Sequence, residues 1–420
     1  MPICFFNSDY GHRFRCEYDV RPESIKVDVE YNIGKELETE DGFINWSSEE
    51  EFNDRDILIV DSESKAAYLL KNASYSGMSS RYGTLDGKEI TSFVANTYFK
   101  DSSPKRLMNL YPTPKIKRIR LYSPLIAGYL RHPSVQVIDT MESHSFVLSK
   151  KRQDKEILIE NNNVNRVSIG DSWSSKYIQS AITIELNAFV EIELRRRVDY
   201  TDIWEYIYEM MIYMQLFCPG KFIIDKIIAE VEGENYELYV PLHYPEYKER
   251  RDYSTTIGLL DFLKICYLKI PYRKGKNDIR NIPYIVMNTY RSIEDNFLML
   301  YRFVECFYKR NGITKLFIAQ CFNEHLHNVQ EFTDNQIKHY TQEIISLRNH
   351  YVHSGYYIKN SCLKIKFGKD EKGAQNYTAK VDVNWIYERT RLLYSMVIDI
   401  IFKAMLGVEE YNYRGNYYTF

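Results

Sequence analysis

The chain has 420 residues, of which 45% are hydrophobic and 27% charged, with only 18 glycines and 12 prolines. That apolar fraction supports sizeable cores and excludes collagen-like, low-complexity and mainly disordered classes, while the length favours two domains over one. The formal net charge of −2 gives the whole molecule no electrostatic pull on a polyanion.

The chain opens MPICFFNSDYGHRFRCEYDV, without a basic stretch followed by an apolar run, so a secretory signal is not expected. No apolar run reaches the roughly 18 residues that cross a bilayer. The longest, from Met396 to Leu406, is broken by Asp399 and Lys403. The seven cysteines, at 4, 16, 218, 266, 306, 321 and 362, are scattered and form no Cys-x-x-Cys pair, which suits a reducing compartment. A cytoplasmic protein with no membrane partner is the expectation.

Through about residue 195 the pattern is that of strands. Short alternating or β-branched runs fall at 14–20, 24–31, 56–61, 66–71, 115–122, 135–139, 145–148 and 157–160, and 181–194 alternates over a longer stretch. Asp86-Gly87 reads as a hairpin turn, because both residues tolerate positive φ. Strands so closely spaced predict a sandwich- or barrel-like module. Thr201-Asp202 then opens a helix with Ile207, Met210, Met211 and Met214 on one stripe, a packed core face. Cys218-Pro219-Gly220 ends it, and 236–240 is again strand-like.

The polar stretch 244–256 marks a boundary, giving a β-rich module over 1–250 and a helical domain over 251–420. In the second, Phe297, Leu300, Tyr301, Val304 and Tyr308 form one stripe closed by Gly312. A short helix covers 314–323. A longer one opens at Thr333-Asp334, carries Ile337, Tyr340, Ile344, Leu347 and Tyr351, and ends at Gly355. The last opens near Asn384 and carries Ile386, Leu393, Met396, Val397, Ile400, Ile401 and Met405. Between these two, 362–367 and 377–383 alternate like a small hairpin. The fold class is therefore α+β. Charge follows the same division: residues 251–420 hold 24 Lys and Arg against 17 Asp and Glu, the first 250 hold 31 against 40. A basic second part is a reason to look for a polyanion site there.

The informative stretch is Leu347-Arg348-Asn349-His350-Tyr351-Val352-His353-Ser354-Gly355. Leu347 and Tyr351 face the core, and Asn349 and His353 share a face at i, i+4. Arg348 lies about 140° around the helix from His353. The two converge only if the last turn loosens before Gly355 or if a two-fold dimer brings two such helices together. RNA is cut when its own 2′-hydroxyl attacks the adjacent phosphate. A histidine can move the protons, an arginine can hold the phosphate, and an asparagine can orient either. Arg and His before a helix-ending Gly are equally what plain capping produces.

Arg348-Asn349-x-x-x-His353, ending a core helix of a helical C-terminal domain, resembles the HEPN ribonuclease motif of Arg, a polar residue and a His after four intervening positions. The surrounding wording is similar to ApeA-type HEPN proteins of bacterial anti-phage defence. The resemblance covers residues 291–420, including the helix with Phe297, Leu300 and Glu305. It implies an all-α HEPN bundle, a homodimer or higher oligomer, and a metal-independent endoribonuclease of abortive infection. RNA, transfer RNA included, would be the substrate, a phage product the trigger, and no cofactor is implied. Arg348 and His353 become the catalytic pair, Asn349 their assistant and Glu305 at most a supporting residue. Alternatives are a non-catalytic HEPN-like dimerisation module and an antitoxin-like partner of a nucleotidyltransferase. HEPN proteins that accept an AMP mark carry Tyr two places after the His; here Gly355 stands there, followed by Tyr356 and Tyr357.

Other patterns carry less. His325-x-His327 with Cys321 and His339 lacks a convincing four-ligand zinc spacing. Gly83 to Lys88-Glu89 is one residue short of a P-loop and has no Ser or Thr after its Lys. The basic runs 115–120 and 195–197 are candidate RNA contacts, the first most simply the solvent face of a strand.

Overall fold

The structure is a computed structural model. It describes residues 2–6, 9–21, 24–32, 55–81, 88–129, 134–140, 143–149, 155–159, 163–178, 181–217, 222–242, 253–255, 257–270, 292–313, 317–325, 332–356, 358, 361–367, 376–409 and 411–413. The chain divides into two compact units. One comprises Met1–Leu158, Asn163–Ile207 and Ile223–His243, the other Ile159–Asn162, Tyr208–Phe222 and Tyr244–Phe420.

The first unit opens with a closed barrel. Its strands are β1 (Ile3–Phe6), β2 (Asp9–Val20), β3 (Ile25–Asn32), β4 (Arg55–Asp61), β5 (Ala66–Arg81) and β6 (Lys88–Ala95). They pair antiparallel in the ring β1-β2-β3-β6-β5-β4, and β4 returns to β1. Inward positions follow the period of two: Ile25, Val27 and Val29 of β3 are fully buried, and meet Cys4, Phe6, Phe14, Cys16, Ile57, Ile59, Leu70 and Phe93 in one core. Phe6 stands edge-on to Phe14 and to Phe93, with ring centroids 5.4 Å apart in each pair. The turn after β4 is held by Asp61, which accepts from the Ser64 hydroxyl (2.7 Å), the Tyr18 hydroxyl (2.8 Å) and the Glu63 N–H (3.0 Å). Those bonds, Ser64 foremost, hold its carboxyl at about 2.

β5 belongs to more than the barrel. Its first half pairs with β4 and, on the other side, with β7 (Thr97–Asp101); its second half pairs with β6. The strand turns between the halves, where Asn72 has a φ of 51°. From β7 an open antiparallel sheet continues through β15, β14, β8, β13, β12 and β11. In chain order this part of the chain runs α1 (Pro104–Met108), β8 (Lys115–Tyr122), α2 (Pro124–Tyr129), the separate hairpin β9 (Ser134–Thr140) and β10 (Ser143–Ser149), β11 (Lys155–Leu158), β12 (Val164–Ile178), β13 (Ala181–Asp199), then α3 (Ile203–Phe217), which belongs to the second unit from Tyr208 onward, and finally β14 (Lys226–Val231) and β15 (Glu234–Tyr239). Ile116, Ile119, Leu121, Val190, Ile192, Ile227 and Ala229 form its buried face. Ile116 and Ile119 are three apart, which a regular strand would place on opposite faces. The register shift at Lys117 restores the parity.

The Asp86-Gly87 turn and the helix end at Cys218-Pro219-Gly220 lie outside the described residues, although Arg81 pairs with Lys88 across the first of these. The strand β12 escaped the sequence reading because polar residues dilute its pattern. Its Gly170 faces Phe189 of β13, and a Cβ there would meet the ring at 2.7 Å.

The second unit contains β16 (Tyr253–Thr255), α4 (Leu259–Lys269), α5 (Ile293–Arg310), α6 (Phe317–His325), α7 (Asp334–Ser354), β17 (Cys362–Ile365), β18 (Tyr377–Lys380), α8 (Val383–Asp399) and β19 (Tyr411–Tyr413). Helices α5, α6, α7 and α8 each pack on the other three, forming a four-helix bundle. Their ends are written in local chemistry. Ser292 and Asp382 accept the N–H of Asp295 (3.1 Å) and Trp385 (2.8 Å), and Thr333 forms a capping box with Gln336. Gly312, at φ 81°, lets its own N–H and that of Ile313 reach back to Lys309 and Tyr308, which closes α5. β17 and β18 pair antiparallel from Cys362 opposite Lys380 to Ile365 opposite Tyr377. α8 runs on into a π-helical stretch, Ile400–Leu406. Among the described residues no helix is long and apolar enough to cross a membrane.

Two buried polar clusters tie the bundle together. The Arg389 guanidinium donates twice to Glu343 Oε2, at 2.6 and 2.9 Å, and its flat faces lie near Trp385 and Tyr340, 4.2 and 5.4 Å from the ring centroids. Asp399 is bonded to His325 Nδ1 (2.6 Å), Lys403 Nζ (3.0 Å) and the Tyr411 hydroxyl. Burial alone would raise its carboxyl, but these three partners hold it below its ordinary value of 3.8.

Two stability predictions follow from this packing. Gly170→Val should cost about 1–3 kcal/mol in denaturant unfolding, because Phe189 occupies the space. Asp399→Asn should cost about 3–5 kcal/mol by leaving buried partners uncompensated. Because the folded value is depressed, the contribution of Asp399 is complete above its unfolded value and fades as pH falls through the folded one. The Asn variant should therefore lose part of the acid dependence of unfolding below 3.8.

Candidate active site

The C-terminal turns of α7 place every residue of the sequence motif. Leu347 and Tyr351 are buried in the bundle, Arg348 is half-buried, and Asn349 and His353 are exposed. The helix stays α-helical through Ser354 and stops at Gly355, φ 79°. A loosened last turn is thereby excluded. Within one chain, Arg348 and His353 remain about 140° apart around the axis and about 7.5 Å apart along it.

Arg348 is held from two sides. Its Nη1 donates to Asn349 Oδ1 at 3.0 Å, and its guanidinium lies over the Tyr301 ring of α5, 5.6 Å from the centroid. Burial pushes the Tyr301 hydroxyl up to about 12, against the opposing pull of Arg348 and with a contribution from Glu305. Tyr301 therefore stays a neutral platform at working pH. Sequence reasoning placed Tyr301 in the core stripe and missed its second role. The available signal was an aromatic on the same stripe of α5 that meets α7. Glu305 is paired with Lys309 on its own helix at 2.8 Å and makes no contact with Arg348 or His353 among the described residues.

His353 is exposed and makes no hydrogen bond, ion pair or ring contact among the described residues. It is flanked by exposed Val352. The segment beyond is pinned: the Tyr356 hydroxyl donates to Asp295 at the start of α5, and the Tyr356 ring stands edge-on to Tyr351 at 5.5 Å. That bond to a carboxylate is the largest cause raising the Tyr356 hydroxyl. Tyr357 lies outside the described residues.

The remaining sequence candidates have other surroundings. His325 is buried against Asp399, His339 packs on the rings of Phe367 (5.1 Å) and Tyr377 (5.7 Å), and burial pushes the Cys321 thiol far up. His327 and Gly83 to Gly87 fall outside the described residues. No group of three or more His, Cys, Asp or Glu side chains among the described residues is placed to hold a metal ion.

The basic run 115–120 lies on β8, and its arginines are paired. Arg120 meets Glu191 at 2.6 Å, and Arg118 lies between Glu193 (3.9 Å) and Glu230 (3.4 Å) of the flanking strands. Arg166 of β12 continues the row, bridging Glu193 (2.7 Å) and Glu156 (2.9 Å). Signs alternate across five strands, which leaves this face of the sheet without a basic field. Compared with protein-family models, curated proteins and solved structures, the chain matches none.

Tyr301→Leu should release the Arg348 side chain, whereas Tyr301→Phe keeps the ring and should not. NMR relaxation of the Arg348 Nε–H group checks this, with slower motion expected in wild type and Tyr301→Phe than in Tyr301→Leu. The expected loss is about 0.5–1 kcal/mol of holding energy.

Proposed function

We propose that the chain is an endoribonuclease of the HEPN type acting in abortive-infection defence against phage. The observation that carries the reading is the C-terminal turn of α7, where a positioned Arg348 and an unengaged, exposed His353 stand on a four-helix bundle. A guanidinium resting on a ring and bonded to Asn349 has little freedom left to lose on gripping a phosphate. His353 is free to accept the proton of a 2′-hydroxyl.

In the proposed reaction the 2′-oxygen attacks the adjacent phosphorus and its proton passes to an imidazole. The 5′-oxygen leaves and takes up a proton, giving a 2′,3′-cyclic phosphate and a 5′-hydroxyl end. Arg348 stabilises the charge that builds on the phosphate oxygens. Because one helix cannot bring Arg348 to His353, the composite site takes Arg348 from one chain and His353 from a second copy related by a two-fold axis. The β-rich unit would sense the infection product that releases the activity.

Arg348→Ala and His353→Ala should each lower RNA cleavage by about 100-fold or more, while changes at an exposed helix end leave unfolding nearly unaltered. Sequencing RNA ends from phage-challenged cells, wild type against His353→Ala, reads both the cleavage and the substrate. Full activity in both variants sinks the assignment. Mixing the two inactive variants should restore about a quarter of the wild-type rate, since half the dimers then carry one intact composite site. No recovery on mixing argues against a shared site.

A further inference from the structure

We infer that β13 carries, at Arg195–Arg197, a docking point for the phosphodiester backbone of a nucleic acid, separate from the Arg348–His353 pair. A regular strand alternates its side chains, so three successive exposed residues require a break in the ladder. The break is present. Glu193 pairs with Arg118 of β8 and Val198 with Ile116, so four residues of β13 stand opposite one of β8. Arg195, Arg196 and Arg197 are all exposed on this wide bulge, directly after buried Leu194.

The bulge is anchored on both sides. The Arg195 N–H donates to the Asn163 carbonyl at 2.7 Å, and the Lys117 ammonium donates to the carbonyls of Leu194 (2.5 Å) and Arg195 (3.2 Å). The lysine that holds the bulge thus adds a fourth positive charge, and exposed Lys115 a fifth, with Asp199 opposite Lys115 in register. The contrast with the rest of the sheet is what points to a ligand. Arg118, Arg120 and Arg166 each meet a carboxylate, whereas Arg196 and Arg197 make no hydrogen bond, ion pair or ring contact among the described residues. Guanidinium forks raised on a fixed backbone suit the oxygens of phosphate groups, which they grip two at a time. The choice of RNA over DNA as polymer rests on the cleavage reading above; the docking itself does not.

The test uses the full chain carrying His353→Ala, so that nothing is cut. Anisotropy measures its binding to a labelled single-stranded RNA of about 16 nucleotides, and to DNA of the same sequence, between about 50 and 200 mM salt. Arg196→Ala with Arg197→Ala should weaken binding roughly 10-fold or more. It should also lower the slope of log affinity against log salt by about 1.4, the share of two phosphates on a single strand. Arg196→Lys with Arg197→Lys should retain most of the slope, and the unfolding midpoint of both variants should match the parent. Equal losses on RNA and DNA support pure backbone docking, and a larger loss on RNA supports docking that also uses the 2′-hydroxyl. Unchanged affinity and slope in the alanine variant overturn the inference. So does binding to phosphatidylserine vesicles with none to either nucleic acid. Because binding is scored without cleavage, a silent Arg348 variant would defeat the nuclease reading and leave this result standing.

Discussion

A buried carboxylate fixes how α7 is turned. Glu343, Leu347 and Tyr351 follow one another at four-residue steps on its inner stripe, and Glu343 is the one that demands a specific partner. The fork of Arg389 and the Tyr377 hydroxyl both end on it. Turning α7 by a single residue would rotate that stripe by about 100°, stranding the carboxylate in an apolar interior at a cost of several kcal/mol (~3–5). Apolar packing alone would tolerate such slippage far better. Arg348 is set half inside and half out by this constraint, close enough to Tyr301 to be held and open enough to meet a ligand.

The helical unit was the more legible part. Caps are local, so Thr333 and Gly312 announce their helix ends in a few residues, whereas the caps Ser292 and Asp382 went unread and the last helix was placed two residues late, at Asn384; stripes such as Phe297 to Tyr308 are periodic over several turns. The hairpin of 362–383 was readable for the same reason. Barrel closure was not, because it depends on β5 dividing its length among β4, β7 and β6. Nothing in residues 66–81 states that division. α4 and β1 went unread as short apolar runs, and the π-helical stretch after Asp399 has no sequence signature that separates it from an ordinary last turn.

The site shows the same split. Spacing alone placed Arg348, Asn349 and His353 on the end of α7, with the right residues turned inward. Tyr301 was visible only as a core aromatic, since its second role depends on which helix lies beside it. The two basic runs of the first unit look equivalent as text. Pairing separates them: in 115–120 the arginines fall opposite carboxylates of β13 and β14, whereas in 195–197 a register break interrupts the ladder, and Arg196 and Arg197 meet no carboxylate among the described residues.

The closure of the barrel also bears on self-association. A sheet of thirteen strands would ordinarily present two long rows of unpaired amides, each a template for another chain. Here one end of the series folds back, β6 onto β5, and the other stops at β11, which has four residues and begins with a lysine. A short, charged terminal strand is a poor seed for edge-to-edge growth. Closure therefore removes one of the two edges outright, and the short charged β11 covers the Arg166–Ile169 part of the other.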